Sequence, residues 1–477
     1  MSEPATSAPM AAPPAASRAL LWLVALGVFM QMLDSTIVNT ALPAMAASLG
    51  ESALRMQSVV VAYALTMALL IPASGWLADR FGTRRLFLLA LCLFTLGSLM
   101  CAAAWSLHAL VISRVVQGIG GAMLLPVGRL AVMRSWPREE FLEAMSFVAL
   151  PGLIGPLVGP TLGGWLVEAI SWHWIFLINL PVGVIAVVAT LRFMPDARGA
   201  VSRFDLPGYL LLAASMLAIS LALDGVSELG LRHATAAGLF LLGMALFVSY
   251  WLHALRLPKP LFPQALFGVA SYRVGILGNL FARIGSSAMP FLIPLLLQVG
   301  LGFTPLEAGM AMIPVAAAGM ASKRAVVPIV QGFGYRRVLI VNTILVGLMM
   351  ASFALIGPAQ PAWLRIVQLA AFGFVNSLQF TAMNTITLRD LDAELASSGN
   401  SLLSMVMMLA MSLGVAAAGG ALSAFSEAFG VEGGTAALPA FHATFIGVGL
   451  ITSMSAWMFW QLEPKRRFPV TKPVDPM

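Results

Sequence analysis

The chain of 477 residues is 60% hydrophobic and only 10% charged, and its formal net charge is +7 at pH 7. Soluble domains are roughly 45–50% apolar and about 25% charged, so this composition excludes an ordinary soluble protein and indicates a chain embedded in lipid. A positive charge would suit nucleic-acid binding, but the basic residues are scattered along the chain and form no patch. We therefore expect no nucleic-acid partner.

Apolar segments of about 20 residues recur along the whole sequence, and a helix of that length crosses a hydrocarbon core. Their apolarity is continuous, as in "LLALCLFTLGSLMCAAAW" at 88–105, and lacks the alternation of a membrane β-barrel. We predict an all-α membrane protein with fourteen spans, centred near residues 31, 66, 96, 118, 154, 184, 215, 244, 284, 316, 346, 373, 411 and 450.

The distribution of basic residues predicts the orientation. With the N-terminus inside, about 21 of the 27 Lys and Arg residues fall in cytoplasmic segments, so both termini are expected in the cytoplasm. The first apolar segment, Leu20 to Leu42, is longer than a signal-peptide core and contains an acid, so we expect it to remain in the mature protein. Residues 1–17 and 464–477 are predicted to be cytoplasmic tails, the first of them disordered.

Two opposite charges fall inside these segments at one depth. Asp34, within "FMQMLDSTIVNTALP", lies about 21 Å from the inner edge, and Arg114 of the fourth helix lies about 10 Å below the outer edge. A buried ionisable residue in a membrane helix is by default functional, so we expect a working pair. The alternative is a pair that only holds two helices together.

A third internal charge, Arg283, lies near the middle of the ninth helix. It is placed to attract an anionic group, and an arginine that binds backbone carbonyls is an equally open interpretation. Together with Arg283, the polar candidates for a central cavity are Asn39, Asn279, Asn376 and Gln379.

Enzymatic and metal chemistry find no support in the sequence. Cys92 and Cys101 are about 13 Å apart on one predicted helix, and no histidine stands with Cys or acids at metal-ligand spacing. ATP-binding motifs and acid dyads are also missing. We expect neither an enzyme nor a metal or organic cofactor, so any pumping would draw on an ion gradient.

Two glycine-containing motifs point to helices that move. The fifth helix reads "PGLIGPLVGPTLGGWL", where small residues allow close packing and prolines bend the helix: Gly152, Gly155, Pro156, Gly159, Pro160 and Gly163. The loop between the second and third helices reads "GWLADRFGTRR", which suits either a gating latch or simple topology anchoring: Gly75, Asp79, Arg80, Gly82, Arg84 and Arg85.

In this order, "LDSTIVNTALP", "GWLADRFGTRR", "RVVQGIGGA" and "GLIGPLVGPTLGG" resemble the motifs of the major facilitator superfamily. The first motif, the fifth-helix motif and fourteen spans resemble its 14-helix drug:proton antiporters of the EmrB/QacA type. The segments "LQVGLGF", "GYRRVL" and "ASSGNSLLS" make the resemblance strongest to the bacterial HsrA/MdtD-like members. This resemblance implies two pseudo-symmetric six-helix bundles, at 18–195 and 261–463, with two inserted helices in 196–260.

The resemblance also implies roles for the motif residues. Asp34 would handle the proton, Arg114 and Gln117 would couple it to transport, the loop motif would be the latch and the fifth helix the pivot. The implied function is a proton-coupled efflux antiporter of the bacterial inner membrane that exports amphipathic or cationic drugs. An exporter or importer of an endogenous metabolite is the alternative on the same fold.

Some positions depart from the family pattern. Gln331 stands where the first half has Asp79, leaving Arg336 and Arg337 of that motif, and the tenth helix contains no acid. One main carboxylate is thus left for coupling. We expect a monomer whose partners are a small-molecule substrate and the lipid bilayer; an adaptor partner is compatible with the family, but no adaptor-binding segment is visible.

Overall fold

The computed structural model describes residues 15–136, 140–199, 203–225, 233–430 and 434–462. Within these ranges the secondary structure is helical, with fourteen long helices joined by short connections. These are α1 Ala15–Leu49, α2 Gln57–Phe81, α3 Thr83–Ala102, α4 Leu107–Ser135, α5 Phe141–Ala169, α6 Asn179–Phe193, α7 Leu206–Gly225, α8 His233–Arg256, α9 Ala270–Leu295, α10 Ile313–Phe333, α11 Tyr335–Ser352, α12 Ala362–Arg389, α13 Ala393–Phe429 and α14 Leu438–Met454.

The predicted all-α membrane architecture is confirmed. Among the described residues, 13 helical stretches are long and apolar enough to cross a membrane, and α5, of 29 residues, occupies the place of the predicted fifth span. Helix α1 begins at Ala15, slightly before the predicted bundle start at residue 18. Residues 15–17 of the predicted disordered tail 1–17 are therefore helical, whereas residues 1–14 and the predicted tail 464–477 lie outside the described residues. The cytoplasmic location of both termini stays a prediction.

The same tight turn occurs once in each half of the chain. Gly82 separates α2 from α3 with φ +93°, and Gly334 separates α10 from α11 with φ +78°. Glycine reaches positive φ without the steric strain that a side chain would add, so both helices can end abruptly. Each glycine is followed by one residue and then two arginines, so the second half repeats the local geometry of the first.

Helices α1 to α6 pack mainly among themselves, with α1 along α5 and α4 between α2 and α3. In the second half, α10 packs along α12 and α11 along α14. The inserted helices α7 and α8 pack against each other, joined by a 2.8 Å hydrogen bond from Ser215 to the Gly243 carbonyl. Helix α7 also contacts α2 and α13, so it bridges elements of both halves.

The two halves share an apolar core at one end of the molecule. Toward the α1–α2 turn at Gly50, here called the outer end, Ile37 and Leu42 of α1 belong to one buried cluster with Phe291 of α9 and Val415 of α13. Toward the α2–α3 turn, here called the inner end, one cluster around Phe87 lies in the first half and another around Leu339 lies in the second, and contact between the halves is made by Ala68 of α2, which shares a third cluster with Tyr272 and Leu402. The bundles are thus closed against each other at the outer end.

Candidate functional site

Asp34 lies at the centre of a buried polar network inside the first bundle. Its carboxylate accepts hydrogen bonds from Arg114 Nη1 at 2.6 Å, Gln117 Nε2 at 2.7 Å and Asn179 Nδ2 at 3.2 Å. Asp34 is 0% exposed and Arg114 is 1% exposed. The structure therefore brings the three residues of the predicted coupling site together, because α1 and α4 present opposite charges at one depth.

Arg114 has further partners that do not depend on the acid. Its Nη1 donates to Gln117 Oε1 at 2.6 Å, its Nε donates to the Val59 carbonyl at 3.3 Å, and its guanidinium carbon lies 4.1 Å from the centroid of the Tyr63 ring. Phe176 approaches from another side at 5.9 Å. Aromatic faces stabilise a desolvated cation, so Arg114 retains contacts that would support its charge if Asp34 were neutralised.

Small residues explain why α4 can bring Arg114 and Gln117 so deep into the bundle. A methyl group at Gly120 would lie 2.5 Å from the Ala90 carbonyl oxygen of α3. One at Gly97 of α3 would lie 2.5 Å from the Gln117 backbone. Arg114 and Gln117 are three positions apart and so share one face of α4. The "RVVQGIGGA" segment thus combines the polar pair with the close packing that buries it.

The glycines of the predicted pivot form the surface of α5 that supports Asp34's helix. Those facing α1 are Gly152, Gly155, Gly159 and Gly163. A methyl group at Gly155 would lie 2.8 Å from the Leu33 backbone nitrogen, next to Asp34, and Thr36 Oγ1 donates to the Gly155 carbonyl at 3.4 Å. Pro156 is exposed. Because α1 and α5 pack backbone against backbone, they are expected to move as one unit.

The outer end of α5 contacts the second bundle. A methyl group at Gly309, in the short helix Pro305–Ala311, would clash with the Pro160 carbonyl, and Thr161 Oγ1 donates to the Gly309 carbonyl at 3.2 Å. Gln298 donates to the Thr40 carbonyl of α1 at 3.0 Å. The helix that carries Asp34, α1, and the helix packed against it, α5, therefore both take part in closing the outer end.

The predicted latch lies at the inner end. Asp79 forms an ion pair with Arg134 of α4, and Arg84 donates to the Leu191 carbonyl of α6. Arg134 also donates to the Ala197 carbonyl at 3.2 Å, in the segment after α6. These contacts tie α2, α4 and the connection to the inserted helices together. Three further latch candidates are exposed: Gly75, Arg80 and Arg85.

The polar residues predicted for a central cavity do not form one group. Asn279 is buried and donates to Gly275 O at 3.0 Å and Thr387 Oγ1 at 3.3 Å, while Gln379 is buried between Asn342 and Thr343. Asn39 is buried as well. These amides bond to backbone groups and to polar side chains of neighbouring helices, where lipid offers no alternative partner, and their place in a central cavity stays a prediction. Asn376 is half-buried.

Several residues of the site were not among the sequence candidates. Asn179 and Ser98 complete the hydrogen bonds around Asp34, since Ser98 Oγ accepts from Gln117 at 2.8 Å and from Asn179 at 3.3 Å. Asn179 carried a signal, because it is a polar residue in the apolar run "SWHWIFLINLP". Tyr63 and Arg134 carried none, because an aromatic residue in a span and a basic residue at an inner helix end are both ordinary.

Comparison with known proteins gives one consistent result. The Major Facilitator Superfamily profile matches residues 24–415. The chain is 53% identical to "Putative multidrug resistance protein MdtD" of Yersinia enterocolitica over 93% of this chain and 94% of the relative. It is 51% identical to the protein of the same name from Pectobacterium atrosepticum over 94% and 97%.

Solved structures share the fold at low identity. A POT family transporter in complex with 5-aminolevulinic acid matches with a TM-score of 0.67 at 17% identity, over 93% of this chain and 95% of that one. The human organic anion transporter MFSD10 matches with a TM-score of 0.60 at 13% identity, over 94% and 100%. The candidate spans and the bacterial relatives make the chain a multi-pass protein of the bacterial inner membrane. It belongs to the Major Facilitator Superfamily, a family of membrane transporters rather than of enzymes.

Proposed function

We propose that the chain is a proton-coupled antiporter that exports amphipathic or cationic drugs by alternating access. The observation that carries the proposal is the fully buried Asp34 carboxylate, paired with Arg114 inside membrane helices. Taking both charges out of water is costly, and two helices can be joined by neutral polar groups at lower cost. Relatives named for multidrug resistance support drugs as the substrates. In this proposal the protein acts as a monomer, and protons are the coupling ion.

The paired state corresponds to one step of such a cycle. In the structure Asp34 binds Arg114 while the bundles are closed at the outer end, the arrangement expected after a proton has been released toward the cytoplasm. Protonation of Asp34 from the outside removes its charge attraction to Arg114. Contacts with Tyr63, Val59 and Gln117 keep the arginine in place. Protonation of Asp34 therefore weakens the attraction between α1 and α4 while Arg114 stays bound inside the bundle.

A drug acts on this pair indirectly. Asp34 and Arg114 are closed to solvent in the described state, so a molecule between the bundles does not touch the carboxylate. Helices α1 and α5 connect the acid to the outer contacts at Gly309 and Gln298. In this mechanism drug binding favours a rearrangement of α1 and α5, and the proton on Asp34 favours the opposite one.

The test uses purified protein in liposomes with an imposed pH gradient and a fluorescent cationic drug. Wild type should move the drug only with the gradient, and Asp34→Asn should abolish this movement while drug binding persists. Asp390→Asn, at an exposed acid after α12, is the matched control and should transport like wild type. Gradient-driven transport by Asp34→Asn at the wild-type rate would refute the coupling role. Absence of transport for every drug tested would favour the metabolite alternative.

A further inference from the structure

Arg283 is a membrane-embedded cation whose charge is not neutralised by the described protein. Its guanidinium carbon lies 3.9 Å from the centroid of the Phe380 ring of α12, and its Nη2 lies 3.4 Å from Asn279 Oδ1. Its Nε is buried without a hydrogen-bond partner. Among the described residues, no carboxylate lies within ion-pair distance of Arg283. The side chain therefore keeps donor capacity for a group that is not part of the chain.

The surroundings explain why this charge remains open. The acids that the structure describes in helices α9 to α14, Glu394 and Glu427, lie near the two ends of α13. In the first bundle, the carboxylate of Asp34 is fully occupied by Arg114, Gln117 and Asn179. An arginine at mid-membrane depth needs a counter-charge or a polar cavity, because lipid supplies neither.

The surface beside Arg283 suits a molecule with an apolar body. Phe380 is 43% exposed although its ring also contacts the guanidinium. Asn376 and Asn384 lie one turn before and one turn after Phe380, hence on the same face of α12. The Oδ1 atom of Asn384 is buried without a partner, so this amide can accept from the ammonium or hydroxyl group of a zwitterionic molecule while its N–H groups donate. Helix α9 contacts α1, which places it on the side of the second bundle that faces the first.

We infer that Arg283, Phe380, Asn376 and Asn384 form a subsite for the carboxylate of an amphipathic substrate. The guanidinium and the amide N–H groups donate to the carboxylate, and the phenyl ring packs against the apolar body. The aromatic contact holds the guanidinium in position while the subsite is empty. This inference rests on the proposed function in taking amphipathic molecules as substrates. The subsite concerns those amphipathic substrates that carry a carboxylate, the acidic and zwitterionic ones, because only they can pair with Arg283.

The experiment measures equilibrium binding of dansylglycine and of its uncharged amide to detergent-purified full-length protein, without a gradient. Wild type should bind the acid at least about tenfold more tightly than the amide, because only the acid pairs with Arg283. Arg283→Gln should remove this preference by weakening acid binding and leaving amide binding unchanged. Arg283→Lys keeps the charge and should retain part of the preference. Arg365→Gln is the matched control, since Arg365 also lies over a phenyl ring, that of Phe303 at 4.7 Å.

Other results would overturn the inference. Equal affinity of wild type for acid and amide would show that the charge is not recognised, and no binding of dansylglycine would contradict the subsite as well. An equal loss of both ligands in Arg283→Gln would assign Arg283 a structural role. Binding is measured without a proton gradient, so its result does not depend on proton coupling at Asp34. A failure of antiport in liposomes and a failure of acid binding at Arg283 can therefore be told apart.

Discussion

The interiors of the two bundles handle polarity in different ways. In the first bundle, Asp34 and Arg114 form a fully buried ion pair that neighbouring amides complete. In the second bundle, the interior holds neutral contacts, such as Asn342 with Gln379 at 3.0 Å, and the cation of Arg283, which has no counter-charge among the described residues. A repeated helical scaffold can therefore hold a neutralised ion pair in one half and an unneutralised cation in the other, since packing and charge are set by different residues.

The largest effect on the difference between the two bundles is expected from removing one partner of the buried ion pair. Arg114→Gln leaves Asp34 as a buried acid without its cation, and we expect the free energy of unfolding to fall by about 3–5 kcal/mol. The combined variant Asp34→Asn with Arg114→Gln should recover much of this stability, because neither charge remains, yet it should not couple transport to the gradient. Denaturant unfolding in detergent measures the stabilities.

The control for this prediction is the exposed pair of Arg389 with Asp390 at 2.8 Å. Arg389→Gln should cost less than about 1 kcal/mol, because water screens exposed ion pairs. If Arg114→Gln were no more destabilising than Arg389→Gln, the buried network would not be the energetic centre of the first bundle.

Packing beneath the network gives the next largest effect. Gly97→Ala introduces a methyl group 2.5 Å from the Gln117 backbone, so we expect a loss of about 1–3 kcal/mol and slower gradient-driven transport. Gly75→Ala is the matched control, because its methyl group meets no atom within 4 Å and alanine favours a helix, so stability should rise by up to about 1 kcal/mol. Thermal unfolding measures the stability of both variants. Equal stability of Gly97→Ala and Gly75→Ala would mean that the close approach of α3 to α4 is not needed for folding.

A substitution among the neutral contacts of the second bundle should have a smaller effect. Gln379→Leu removes hydrogen bonds to Asn342 and Thr343, but Asn342 still donates to the Val375 carbonyl at 2.8 Å. We expect a loss of about 1 kcal/mol, and transport that is still driven by the gradient. Loss of coupling in the liposome assay, with stability retained, would show that the second bundle also takes part in proton handling.

The latch should show the smallest energetic effect. Asp79 and Arg134 are partly exposed, so Arg134→Gln should cost less than about 1 kcal/mol. If the two residues act through their ion pair, Asp79→Asn should have a similar effect and the combined variant little more than either alone. A double-mutant cycle on unfolding measures this coupling. Fully additive effects would instead indicate that the two residues act separately.

The sequence predicted the features that depend only on position along a single helix. Fourteen helices were predictable because each span is apolar over its own length, and the depth of Asp34 and Arg114 followed from the helical rise. Both predictions use only position along a single helix. The helix contacts of Asn279 and Gln379 were not predictable, because a polar residue in a span looks the same in the sequence whether it faces a cavity or a neighbouring helix.

Lateral neighbours were not predictable in this way. Tyr63 stacks on Arg114, and Arg134 pairs with Asp79 across 55 positions, because the bundle places α2 beside α4. Neither contact leaves a local pattern in the sequence. The same limit applies to Arg283, whose charge was visible from the sequence, whereas the lack of a nearby carboxylate in the described chain depends on every helix around it.

By itself, the sequence determined that the chain resides in a membrane, how many long apolar helices it forms and where along them its charges lie, since hydrophobic length and helical rise are local properties. The tertiary structure decided which charges are neutralised, which glycines bring backbones together and which end of the molecule is closed. These features depend on lateral packing in three dimensions, where residues far apart in the chain share one buried environment.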